Sequence, residues 1–172
     1  ALVSNGVVAP VDLGEAKSQF SDVAVKAVTY NGQTYGVPYA VESVALVRND
    51  ALTTDTPTTY DDLISSGKAS GAEYPFIIQM GDKGDPYHFY AFQTSFGAPV
   101  FKTNSEGEYT AELAMNGSGG TEFANWLKAQ GDAGIVSPSI TGYIAKQKFL
   151  DGAAAYTVTG PWNVAAFREA GM

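Results

Sequence analysis

The sequence predicts an α/β chain, in which short apolar strands alternate with amphipathic helices. Three observations carry this expectation. Strand-type runs at 34–48, 74–80 and 153–159 are each followed by a helical stretch. The last two runs lead into the same arrangement, a proline at the first helical position with an aromatic directly after it, Pro86-Tyr87 and Pro161-Trp162. The chain has 172 residues, 45% of them hydrophobic, which suffices for one ordinary core.

Along the chain, "VDLGEAKSQFSDVAVKAV" predicts one or two weak helical turns. "YNGQTYG" reads as a turn with Asn31-Gly32 at its centre. Residues 34–48 follow as one long strand, because Val37, Tyr39, Val41, Val44, Leu46 and Val47 suit a pleated, buried surface. In "TPTTYDDLISSG", Thr59 caps a helix with Asp62 three residues on, and Gly67 ends it. Residues 74–80 are a short strand and 85–97 a helix. "PVFKTNSEGEYTAEL" is a hairpin or extended arm around "NSEG". Residues 119–134 form a helix with Phe123, Trp126, Leu127 and Gln130 on one side. A short helix in "TGYIAKQKFLDG", the strand 153–159 and a final helix in "GPWNVAAFREAGM" complete the order. The loop-like start, and the stop one residue past a capping glycine, predict a piece of a longer chain.

Composition narrows the function. A net charge of -8 argues against nucleic acid and anionic membrane as partners. The absence of cysteine removes thiol catalysis, disulfides and cysteine-based metal sites, and fits an exported protein. No apolar run is long enough to span a bilayer, so no membrane insertion is expected. The N-terminal stretch lacks the charge and apolar run of a signal peptide. Ten Tyr, nine Phe and two Trp against 16% charged residues suit an uncharged, hydrogen-bonding ligand. No cofactor or metal is expected. "MNGSGG" lacks the spacing of a phosphate or dinucleotide loop, and "GDKGDPYH" lacks that of a calcium loop. "NGS" at Asn116 matches a short, common glycosylation acceptor.

The candidate binding residues are Glu42, Asp85, Tyr87, His88 and Trp162. Glu42 is the one acid inside the predicted strand 34–48, where a carboxylate is costly unless paired. Loops at the carboxyl ends of strands open onto the ligand crevice of an α/β sheet, which places Tyr87 and Trp162 at one edge. Their faces can stack on a ligand, with free N–H groups of the first helical turn near its polar edge. Plainer roles stay open beside these. Asp85 before Pro86 is a normal helix cap, Tyr87 and Trp162 suit a core, and a backbone donor or lysine can satisfy Glu42. His88, the one histidine, lies in the same first turn and makes no triad, since no serine has nucleophile-elbow spacing. Two rival functions remain: a glycoside hydrolase using Glu42 and Asp85 as paired carboxylates, and a purely structural or interaction domain.

The stretches "YNGQTYGVPYAVESVALVRNDAL", "PTTYDDL", "GDPYHFYAFQTSFGAPVFK" with its later "GEY", and "FLDGAAAYTVTGPWNVAAF" stand in a particular order and spacing. In both, the chain resembles the extracellular solute-binding proteins of sugar ABC importers, and among them the maltose/maltodextrin-binding proteins. The resemblance implies a periplasmic-binding-protein-like fold of type II, two lobes of small mixed sheet covered by helices, closing on a sugar without bond-breaking. It implies that residues 1–37 are the tail of the first lobe, 38–44 a hinge crossing, and 45–172 most of the second lobe. Residue by residue, Glu42 matches a hinge glutamate that accepts sugar hydroxyls. Asp85 matches an acidic ligand that is usually glutamate, and Tyr87 and Trp162 match stacking aromatics. His88 stands where phenylalanine is frequent. The implied partners are an oligosaccharide and the importer's permease subunits. The implied location is extracellular or periplasmic, with a lipid anchor on the full-length protein compatible with it.

Overall fold

The computed structural model describes residues 2–105 and 107–172. The chain divides into two compact units, Ala1–Ser43 and Val44–Met172.

In the first unit a 3-10 turn, Gly14–Gln19, precedes helix α1, Asp22–Ala27. A two-stranded hairpin follows, β1 (Thr29–Tyr30) and β2 (Gln33–Thr34), paired antiparallel. Its turn is the expected Asn31-Gly32, with φ of 49° and 76°. Positive φ at both central residues matches the strand twist, which is why asparagine and glycine stand there. The amide of Val11 donates to the carbonyl of Thr34 at 2.8 Å, tying the leading segment to the hairpin.

The long strand expected at 34–48 is largely absent. Thr34 belongs to the β1–β2 hairpin, and from 35 to 48 only Ala45–Arg48, strand β3, pairs with another strand among the described residues. Val37 and Val41 are well exposed and Tyr39 is 100% exposed. Glu42 is exposed as well. Strand propensity is mainly a packing effect, and among the described residues no sheet takes in 36–42. Glu42 is therefore an exposed acid outside any paired strand, not one inside the strand expected from the sequence.

The second unit is built on β6, Tyr156–Thr159. β3 pairs with it antiparallel, Ala45 opposite Thr159 and Arg48 opposite Tyr156. Bridges Tyr74–Ala154 and Ile77–Thr157 place the expected strand at 74–80 parallel along the same stretch, joined by the amide of Ile77 to the carbonyl of Tyr156 at 2.9 Å. The result is a small mixed sheet. Alternation at 76–78 sends side chains to two core layers, and 154 and 155 likewise part between them. Phe76, Ile78, Ala155 and Tyr156 join Leu63, Phe89 and Val136 in one cluster. Ile77 and Ala154 join Ala145, Phe149 and Phe167 in another.

Helices cover both layers. α2, Tyr60–Ala69, begins as expected, with Thr59 Oγ1 accepting from the Asp62 amide at 3.1 Å. It does not end at Gly67. That residue is buried within the helix, where an added Cβ would lie 2.2 Å from the carbonyl oxygen of Pro75. Gly67 is there for close approach, and the left-handed glycine after the helix is Gly71, φ 75°. α3, Pro86–Ser95, and α4, Ser118–Asp132, form where the sequence puts them. Phe123, Trp126 and Leu127 face the first cluster, and Gln130 accepts from the Tyr60 hydroxyl at 3.0 Å. Between these helices lies the expected hairpin, β4 (Phe101–Thr103) with β5 (Tyr109–Leu113). Glu106 of its "NSEG" tip lies outside the described residues. α5, Gly142–Leu150, and α6, Val164–Glu169, lean on the second cluster through Ala145, Phe149 and Phe167.

Candidate functional site

The two proline–aromatic helix starts meet. At the start of α3, Asp85 is the N-cap: its Oδ1 accepts from the His88 amide at 2.9 Å, and Pro86 fills the first helical position. The plain capping role read from the sequence is thus present, and it takes up one of the N–H groups expected to be free. The same Oδ1 lies 3.0 Å from His88 Nδ1, and Oδ2 accepts from the Gln79 side-chain amide. Burial alone would raise the Asp85 pKa. The hydrogen bonds from the His88 amide, Gln79 and the His88 ring outweigh it and hold the carboxyl below the usual carboxylate range.

At the end of β6, Gly160 leads into a 3-10 turn, Pro161–Asn163, that carries Trp162. An added Cβ on Gly160 would lie 2.1 Å from Trp162 Cζ3, so the indole folds back over a position that only glycine leaves free. Asn163 Nδ2 donates to Thr159 Oγ1 at 2.9 Å and steadies the turn. The Trp162 ring centroid is 6.2 Å from Tyr87 and 5.9 Å from His88, and Tyr87 is 5.7 Å from His88. Tyr87 is 57% and Trp162 47% exposed, whereas His88 is 4% exposed. Two half-open rings therefore stand over a buried imidazole. Neither ring is a core residue, the alternative the sequence left open.

The structure gathers Asp85, Tyr87, His88 and Trp162 on one rim of the second unit. Glu42 is an exposed residue of the first unit. Sequence reasoning missed Gln79 and Gly160. Gln79 is the one polar side chain interrupting the apolar run "FIIQM", a signal that was there to read. Gly160 reads as an ordinary turn glycine until the indole is seen above it. Among the described residues no group of three or more metal-ligating side chains is gathered, and no helix is long and apolar enough to cross a membrane.

Residues 1–172 match the family described as bacterial extracellular solute-binding protein. The chain belongs to that family. It is thus one of binding proteins rather than enzymes. This solute-binding chain is 27% identical over 163 residues to the maltodextrin-binding protein MdxE of Bacillus subtilis, covering 88% of itself and 38% of that relative. It is 28% identical over 178 residues to a maltooligosaccharide ABC transporter solute-binding lipoprotein of Streptococcus pneumoniae, covering 99% of itself and 42% of the relative. It superposes on the Thermus thermophilus maltotriose binding protein, solved with maltotriose, with a TM-score of 0.81 and 27% identity, over 99% of this chain and 47% of that one. The chain spans about two fifths of the length of these curated relatives.

Proposed function

We propose that this chain supplies one wall of a saccharide-capture site, with a malto-oligosaccharide or similar α-glucoside as the solute and an ABC importer's permease as the partner of the full-length protein. The observation that carries the reading is the Tyr87–Trp162 pair: two half-exposed rings 6.2 Å apart, at two helix starts distant in sequence. Such rings cover the apolar faces of pyranoses. His88 lies behind the rings as their support. Glu42, the crossing at 38–44 and the division into 1–37 and 45–172 enter through the family resemblance. So does an extracellular or periplasmic location, which the family's description and a lipoprotein relative support.

A hydrolase at this rim is less well supported. The family is one of solute-binding proteins, and Asp85, held below the usual carboxylate range, is unsuited to the general-acid role. Titration calorimetry of the full-length protein with maltose and maltotriose tests the proposal. Binding at about the micromolar level is expected, weakened about tenfold or more by Trp162→Ala, with no release of reducing sugar. The 172-residue chain alone, with one wall and no closure, is expected to bind at roughly the millimolar level. Absence of heat and of any tryptophan fluorescence change across both sugars refutes the saccharide reading.

A further inference from the structure

Asp85 has little left to offer a solute. A carboxylate has about four acceptor positions, and three donors already occupy this one. The His88 amide and His88 Nδ1 share Oδ1, and Gln79 takes Oδ2. The Asp85 side chain is mostly buried, as is His88. An ionised carboxylate only accepts, so Nδ1 carries the proton and the neutral ring keeps a bare lone pair on Nε2. Nε2 is buried with no hydrogen-bond partner. A lone pair is tolerable there, whereas a second proton would be an orphaned buried donor. The arrangement is therefore locked in one tautomer, with the imidazole edge-on to both Tyr87 and Trp162 at interplanar angles of 73° and 80°.

From this we infer that Asp85 is a positioning residue: clamped between Gln79 and His88, it fixes the imidazole on which the two rings rest, and the rim reads its solute through ring faces rather than through hydroxyls donating to the Asp85 carboxylate. The inference rests on the saccharide-capture reading and deepens it. It makes the shorter acid and the histidine one device. Asp85 is drawn back to hold His88, and His88 fills the space behind the stacking pair. The solute class favoured is one that offers a flat apolar face at this point.

The experiment has two arms, both on the full-length protein. In the first, Asp85→Asn and Asp85→Ala are titrated with maltotriose. Asparagine keeps an oxygen for the His88 amide and Nδ1, and Gln79 can turn its carbonyl to the new amide. Asp85→Asn is expected to weaken binding by no more than about threefold, and Asp85→Ala by about tenfold or more. If asparagine is as damaging as alanine, the charge itself touches the solute and the inference falls. In the second arm, nitrogen NMR of 15N-histidine protein, assigned by the resonances missing in His88→Phe, reads the tautomer without ligand. The expected result is a protonated Nδ1 and a bare Nε2, with that signature lost in Asp85→Ala. An Nε2–H tautomer overturns the clamp. Wild-type protein that binds no saccharide refutes the capture reading, while the NMR arm still decides whether His88 is held as inferred.

Discussion

Gly160→Ala separates the binding role of Trp162 from its contribution to the fold. The Gly160 backbone has φ −104° and ψ −179°, extended geometry open to any residue, so alanine strains nothing in the main chain. The obstacle is the indole. The new Cβ would lie 2.1, 2.2 and 2.6 Å from Cζ3, Cη2 and Cε3 of Trp162. Carbon–carbon contacts settle near 3.5–4.0 Å, so the ring must retreat by about 1.5 Å. That movement breaks its approach to Tyr87 and His88. Each aromatic pair is worth about 0.5–1.5 kcal/mol, and these are half exposed, so the expected loss of stability is about 1 kcal/mol. The loss in binding is larger, since a displaced ring no longer lies on the solute: about tenfold or more in affinity for maltotriose. Calorimetry gives the affinity, urea unfolding the stability, and near-ultraviolet circular dichroism the indole's surroundings. Unchanged affinity alongside an altered tryptophan signal refutes the assignment of Trp162 to the solute.

Three further outcomes are expected. Gly67→Ala sets a methyl 2.2 Å from the main-chain oxygen of Pro75, which cannot swing aside, so urea unfolding should show a loss of about 2–3 kcal/mol or more. Tyr156→Phe, by contrast, orphans no partner: Ser66 Oγ still donates to Asp55 Oδ2 at 2.7 Å, and the Asp55 carbonyl still accepts from Arg48 Nη1 at 2.8 Å. Its cost should be about 1 kcal/mol, or roughly 2–4 °C in melting temperature, and a loss well above 2 kcal/mol contradicts this accounting of the network. The lowered pKa of Asp85 stabilises the fold above the unfolded value, about 3.9, and that contribution disappears as pH falls through the lower folded value. The urea midpoint should therefore fall less between pH 6 and pH 3 in Asp85→Asn than in the wild-type protein.

Local chemistry made most elements legible. The Thr59 cap, the Asn31-Gly32 turn and the Pro86 helix start each act within a few residues, and each is found where its residues stand. The run at 34–48 failed because valine and tyrosine express strand character only beside a partner strand, and after Thr34 only 45–48 has one among the described residues. Gly67 misled for a related reason. A glycine that ends a helix and one that admits a neighbour look alike until Pro75 is placed against it. At the rim, the repeated strand–proline–aromatic layout announced Tyr87 and Trp162. The partnership of Gln79 with Asp85 was hidden, because it depends on where a loop returns and not on any local spacing.

The pairing of β3 with β6 has a mechanical consequence. Ala45 faces Thr159, so the first rung of the ladder sits one residue before Gly160 and three before Trp162. Tension arriving through the polypeptide at Val44 is borne first by that rung. A slip of two residues there would carry β3 about 7 Å along β6, while the bridges from Tyr74 and Ile77 hold the stretch that leads to the indole. The aim of the tryptophan is thus held from the other side of the sheet, and a pull on the start of the second unit reaches β3 before it reaches the indole.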